Sequence, residues 1–491
     1  MSKLKTYAPP LNDGLPVDTL DYADGDTIQP LHPYGVGVDC HSKFIEVCVF
    51  VRTGDAVRKF EGTYPTGWEA LHAAHDWVRQ IICIKSCPAI DPGRLRYTIE
   101  STSTYHMPVI IAWGGNPCVI NPALAPSTRR KTDKLDARLM AYQSMTGLWP
   151  ASFIAGPQVQ AFRLLMKQRQ DAQRLALTIT NRINNYLLRF GHTIGATGSV
   201  RSPSARGIIE DMCRDGYAYH EGMYDGLPEG QYICPAGLPD DVKPLIKGMW
   251  EEFDKQKARE SEFHLKALNK AKSMLWETKH GTIKGDELIK YLTTVPSVGE
   301  TTALVWLAEV VTPRRFDVKE KLVAFCGCDP SLKISAGKVT SQTRRGGNTR
   351  LHCQLIKVAG SCINRHKEPF GQWGYAILQR HAKGGYKKAC GAVARRIAAA
   401  MYFIHALGEP FSYDKYNFYK TEVPDVPLDE MLFSTRTRNI LASNNLSSSH
   451  MIASLFITGE LFKLHGVGKK SIAEVDGWIQ NNKCKKRSKP S

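Results

Sequence analysis

From Tyr34 onward the apolar positions alternate in strand fashion. YGVGVD predicts a first strand, CHSK a turn, FIEVCVF a second strand and AVRKFEGTYP a third. A helix is predicted over roughly 67–85, then the strand RLRYTIE ending at Glu100. A short helix near Tyr105–Trp113, the strand NPCVIN and a helix over Lys131–Met145 complete this part. Three consecutive strands followed by alternating helices and strands describe a mixed sheet with helices on its faces. Upstream, residues 1–33 are rich in Pro, Asp and Gly and predict an extended arm.

The period then changes to that of a helix. Residues 157–192 and 243–292 carry apolar side chains at helical spacing, separated by a loop-like Gly/Pro-rich insert at 196–242. Together, over 151–290, they suggest a helical hairpin or coiled-coil arm. YLTTVPSVGETTALVWLAEV, 291–310, predicts helix, tight turn, helix, with Gly299 letting the backbone approach a phosphate at a helix N-terminus. The rest of a domain over 291–410 is expected to be mostly helical. After a linker at 411–431, a small unit over 432–480 holds a second such pattern, LFKLHGVGKKSIAEV, and a basic tail occupies 481–491. The fold class is multidomain, α/β plus α.

Composition narrows this picture. A chain of 491 residues exceeds one core and predicts two to four domains. The formal net charge is +18, with local peaks at 129–138, 344–350 and 380–396 and in the tail. Such a balance points to a polyanionic partner, most often nucleic acid, although ribosome-associated and membrane-surface proteins share it. No apolar run is long enough to span a membrane, and the N-terminus lacks the apolar core of a signal peptide. The thirteen cysteines are scattered without paired CxxC sets, as in a cytosolic protein with reduced thiols.

The stretch RRKTDKLDAR then raises a question of chemistry. Arg129, Arg130, Lys131, Lys134 and Arg138 surround Asp133 and Asp136, which share one helix face. Asp39 lies inside an apolar strand and Glu100 closes another, and a carboxylate at such a position is costly unless it is paired or binds a metal. Taken singly, Asp39 fits a strand-end turn, Glu100 a helix cap, and Asp133 and Asp136 a salt-bridged face. Taken together, four acids at the ends of neighbouring elements suit a two-metal phosphoryl-transfer site, with the cations gripping the polymer.

GVGVDCHSK, TIESTSTYHMPV, NPAL and KTDKLDARLMA resemble the N-terminal half of the insertion-sequence-110 family of transposases. YLTTVPSVGETTA, FCGCDPSLKIS, TRRGGNTRLHCQL and VARRIA are similar to that family's C-terminal transposase domain. The resemblance implies a bridge-RNA-guided, DEDD-type recombinase with an RNase H/RuvC-like domain over 34–150 and a transposase domain over 291–410. It puts the DEDD acids on Asp39, Glu100, Asp133 and Asp136, holding two Mg²⁺ ions for which Mn²⁺ can substitute. It also implies a nucleophilic serine, by position Ser335, forming a covalent phosphoserine. Here Ala336 stands between that serine and Gly337, and Ser331 and Ser341 are the other candidates. Arg344 and Arg345 are then expected to bind the DNA backbone or to stabilise the transition-state charge.

The 432–480 unit is similar to the C-terminal domain of the bacterial RNA polymerase α subunit. That likeness implies a helix-hairpin-helix module with DNA contacts at Arg436, Gly466, Gly468, Lys469, Lys470 and Ser471, or alternatively a protein-docking role. The expected activity is RNA-guided DNA cleavage and strand exchange, with donor and target DNA and a structured noncoding RNA as partners. The site would join residues of two distant domains, on one protomer or on two. The long helices would mediate a dimer that assembles into a tetramer. Such a protein works in the prokaryotic cytoplasm, on the nucleoid when active. Two other readings stand beside it: a RuvC-like metal-dependent junction nuclease that needs no serine, and a non-catalytic nucleic-acid scaffold.

Overall fold

The structure is a computed structural model. It describes residues 32–53, 56–85, 95–101, 103–121, 132–147, 151–194, 200–220, 223, 227, 231–335, 338–344, 346–365, 369–380, 384–412, 424, 426–458, 461 and 464–482, together with Leu15–Pro16. The chain divides into two compact units, Met1–Ile154 and Ala155–Ser491.

The first unit is built on one mixed sheet. Its strands are β1 (Leu15–Pro16), β2 (Tyr34–Cys40), β3 (Phe44–Thr53), β4 (Ala56–Pro65), β5 (Arg96–Glu100) and β6 (Asn116–Ile120), in the order β1-β4-β3-β2-β5-β6. The β2–β3–β4 meander is antiparallel, whereas β5 and β6 run parallel to β2. Of the predicted N-terminal arm, residues 32–33 and Leu15–Pro16 are described, the latter pairing with Lys59 and Arg58 at the sheet edge. The helices are α1 (Trp68–Lys85), α2 (His106–Trp113) and α3 (Asp133–Thr146).

The alternation of β2 assigns its two faces. Val36, Val38 and Cys40 join a core with α1 and α2 residues such as Leu71, Val78, Val109 and Trp113. Gly35, Gly37 and Asp39 therefore occupy the opposite face. There α3 lies against the backbone itself. A Cβ on Gly35 would sit 2.1 Å from the Ala141 carbonyl oxygen, and one on Gly37 2.1 Å from that of Ala137. Two residues of strand advance about 6.7 Å and four of helix about 6 Å, so the two elements keep step in opposite directions. One further step beyond Gly37 and Ala137 brings Asp39 level with Asp133.

The second unit is mostly helical. Helices α4 (Pro157–Arg189) and α6 (Lys243–Ser273) are its longest. They pack antiparallel: Phe162 and Met166 meet Ala267 and Ala271 in one cluster, while Ile183 and Leu187 meet Ile246 and Trp250 in another. Within the predicted loop-like insert a ten-residue helix forms, α5 (Pro203–Met212). Its start is a Ser-Pro signal, with Ser202 accepting from the Ala205 amide and Pro203 at the first helical position.

A short hairpin, β7 (Leu275–Glu277) and β8 (Thr282–Lys284), leads into α7 (Gly285–Leu292), α8 (Glu300–Val310) and α9 (Lys319–Phe325). Gly299 caps α8, with open space where a side chain would stand. A second hairpin, β9 (Pro330–Ser335) and β10 (Lys338–Arg344), interrupts what the pattern predicted as mostly helical. Helices α10 (Thr349–Asn364), α11 (Phe370–Arg380) and α12 (Gly385–Leu407) close a large core around the buried Trp306 and Phe370. Finally, α13 (Thr435–Ser443), α14 (Ser449–Thr458) and α15 (Lys469–Asn481) surround a small core of their own containing Leu441, Ile452 and Val475. Among the described residues, no helix is long and apolar enough to cross a membrane.

Candidate metal centre

Asp39 is the next-to-last residue of β2 and is only 6% exposed. The parallel register pairs Val38 with Ile99, so the following position sets Asp39 beside Glu100 at the end of β5. The first turn of α3 supplies Asp133 and Asp136, behind a Thr132 N-cap whose hydroxyl accepts from the Leu135 amide at 3.3 Å. The close packing of α3 on the β2 glycines thus carries Asp133 and Asp136 toward the sheet end where β2 bears Asp39 and β5 bears Glu100.

A fifth side chain joins them. His41, in the turn after β2, places Nε2 3.1 Å from Asp39 Oδ2 and 3.4 Å from Asp133 Oδ1. Donor atoms of Asp39, His41 and Asp133 all lie within 4.8 Å of one another. The His41 ring rests on Phe44, with centroids 4.7 Å apart.

Burial pushes the Asp39 carboxyl up to about 6, and the charges of Glu100 and Asp136 push the same way, against the pull of His41. The neighbouring Cys40 thiol is likewise driven up by burial and by Asp39 and Glu100. Glu100 and Asp136 thus act on the Asp39 carboxyl, and Asp133 reaches it through His41. Such a set of hard oxygen donors with one imidazole, gathered around a carboxyl whose ionisation is hindered, suits a divalent cation. His41 had no special role in the sequence pattern, which put it in a turn. A usable signal was an imidazole two residues after a carboxylate on a strand end.

Other predicted residues fall elsewhere. Lys134 is exposed on α3. Arg138, predicted as a nucleic-acid contact, is half-buried and clasps Glu61 of β4, with Nε donating to one carboxylate oxygen and Nη2 to the other, the latter at 3.0 Å. Burial works to raise the Glu61 carboxyl, but the Arg138 hydrogen bonds and charge, with Lys59 and Lys134, hold it below its ordinary value. Arg129, Arg130, Lys131 and Arg345 lie outside the described residues.

In the second unit, Ser335 ends β9 and pairs with Lys338, and Arg344 ends β10, paired with Pro330. Arg436, Lys469 and Lys470 are exposed, the lysines in the first turn of α15 after Gly468, and Gly466 adopts a positive φ of 79°. Ser471 is buried instead, its hydroxyl accepting from Thr437 at 3.2 Å and tying α15 to α13.

Comparison with known proteins bears on both units. A family model for the DEDD transposases of IS110 elements, described as "Transposase", matches residues 36–191. A second, described as "Transposase IS116/IS110/IS902 family", matches residues 289–373. The chain belongs to the IS110 family of transposases. No curated protein matches it. The first match takes in all four acids and His41 of this transposase, and the second takes in Ser335, so the residues singled out above fall inside the family regions.

Proposed function

We propose that this transposase cuts and rejoins DNA through a serine nucleophile assisted by a divalent cation, and that a structured noncoding RNA guides it. The observation that carries the reading is the crowding at the buried Asp39 carboxyl, which feels the charges of Glu100 and Asp136 and is joined to Asp133 through His41. These acids would hold Mg²⁺, or Mn²⁺ in its place. Bound there, the cation supplies Lewis-acid stabilisation of charge developing on a phosphoryl oxygen. Asp39 would hold the cation in ionised form, and its burial, with Glu100 and Asp136 nearby, makes that ionised form costly without a cation.

Ser335 attacks a phosphodiester phosphorus. A Ser–O–P bond forms, the bond to one deoxyribose oxygen breaks, and that oxygen leaves as a free hydroxyl while the serine proton passes to a base. Attack by the hydroxyl of a second strand reverses the step and frees the serine, so no nucleotide cofactor is consumed. The exposed Leu164, Leu175 and Leu265 on α4 and α6, at 63%, 50% and 56% exposure, support pairing of two copies through these helices, and a tetramer as the working assembly.

The deciding experiment incubates the full chain, with any RNA that co-purifies, with Mg²⁺ and DNA carrying the element ends. Wild-type protein is expected to give a DNA adduct that survives denaturation, and Ser335→Ala to give none. Cutting by Ser335→Ala at wild-type rate would establish hydrolysis by water and sink the serine mechanism. Sequencing of the co-purified RNA tests the guide: one discrete species with segments complementary to two DNA sites is expected, and heterogeneous cellular RNA refutes guidance.

A further inference from the structure

A further basic feature lies wholly within the second unit. Where α4 faces α8 and the start of α10, an open cleft of about 630 Å³ forms. Arg169 and Arg174 of α4, Arg201, and Arg350 and Lys357 of α10 line it, against a single carboxylate, Glu309. That carboxylate is already engaged, accepting from Asn348 Nδ2 at 2.7 Å and from Arg350 Nη1 at 3.2 Å. It fixes the start of α10 and leaves a cationic excess in the cleft.

The arginines differ in how they are held. Arg169 is anchored from behind by Glu260 at 3.2 Å, yet its Nε is buried with no hydrogen-bond partner among the described residues. A buried donor left unmet costs roughly 1–3 kcal/mol and is normally satisfied by some acceptor. Arg174 and Lys357 are exposed and form no ion pair among the described residues. The first turn of α10, with Thr349 and Arg350, also opens on the cleft and offers helix N-terminal polarity to an anion. Gln170, Gln173 and Gln354 add neutral groups that both donate and accept. No aromatic side chain lines the cleft among the described residues.

We infer that this cleft grips the phosphodiester backbone of a single nucleic-acid strand, independently of the metal centre and of Ser335. Arg174 and Lys357, which form no ion pair among the described residues, and the half-satisfied Arg169 line a concave groove that matches a strand's spaced phosphates. RNA and DNA strands present the same phosphates, and the test separates them.

The full chain is titrated, in EDTA, with fluorescent single-stranded RNA, single-stranded DNA and duplex DNA of one length over a range of salt. Arg174→Glu/Lys357→Glu is compared with the charge-matched Lys255→Glu/Lys272→Glu, which alters two α6 lysines outside the cleft. The cleft pair is expected to weaken single-strand binding about tenfold and to flatten the log–log salt slope by about 1–2. The control pair should do neither, and all proteins should melt together. Loss confined to RNA or to DNA identifies the strand. Equal loss in both variants, or loss for duplex alone, overturns the inference. As a second readout, photo-crosslinked strands should map to peptides within 166–177 and 349–357, and crosslinks only elsewhere would also overturn it. Because neither Ser335 nor a metal takes part, failure of the serine mechanism leaves this result untouched.

Discussion

Asp39 carries a conflict between folding and function. Its carboxyl rises from 3.8 to about 6 in the folded chain. A raised folded value means stability that is full below pH 3.8 and is lost as pH climbs through 6. At about 1.4 kcal/mol per unit, the metal-free fold is roughly 3 kcal/mol weaker at neutral pH than an uncharged side chain would leave it. Asp39→Asn is therefore expected to melt above wild type at pH 7.5 in chelator and to lose that advantage near pH 4. Added Mg²⁺ or Mn²⁺ should raise the melting point of wild type alone. A lower melting point for Asp39→Asn in chelator would contradict this account. Asp39 and Glu100 stood out because a carboxylate in an apolar strand violates a strong rule of burial, and Asp133 and Asp136 because they share one helix face. His41 did not, since a polar turn after a strand is ordinary. The engagement of Arg138 by Glu61 and the burial of Ser471 were equally hidden, because each depends on a partner from another element.

Among elements, the decisive contact is that of α3 on β2. Gly37→Ala would put a methyl group 2.1 Å from the Ala137 carbonyl, where backbone rather than a pliable side chain must yield. We expect a loss of about 1–3 kcal/mol or more and, because α3 moves away, divalent-metal binding weakened along with stability. Calorimetric titration and thermal melting of the same sample check both, and an unchanged metal affinity would mean that α3 does not position the acids. Most strands and helices of the first unit were readable from period alone. The purpose of the glycines was not, since a strand glycine signals only close approach or a bulge and never says what approaches. The β9–β10 hairpin and α5 escaped for a related reason: both are short and sit among long helical patterns that dominate any window.

For the molecule as a whole, acid sensitivity follows from buried imidazoles. His405 is fully buried and accepts from the Trp306 indole at 3.2 Å, and burial lowers it to about 3. His75, His106 and His192 are lowered by burial too. The unfolded chain takes up a proton on His405 below pH 6.5 and the folded chain only near pH 3. Full stability is thus present above pH 6.5 and declines at up to about 1.4 kcal/mol per pH unit as pH falls. His405→Gln, which keeps an acceptor but cannot titrate, should narrow the gap between melting points at pH 7 and pH 5, and an unaltered gap would refute this role. At this scale the sequence announced a polyanionic partner through its charge of +18. It did not announce the cleft, whose cations lie nearly two hundred positions apart and meet only after folding.

The step between β2 and α3 acts as a vernier. Gly35, Gly37 and Asp39 mark one scale and Ala141, Ala137 and Asp133 the other, so the pair G-x-G-x-D and D-x-x-x-A-x-x-x-A forms a single two-part signature. Substitutions on the outer side of α3 leave the scales aligned. Inserting one residue between Asp133 and Ala137 turns the first acid by about 100° around the helix and disengages it. Lineages that descend from this chain can therefore vary in residue type here far more freely than in length.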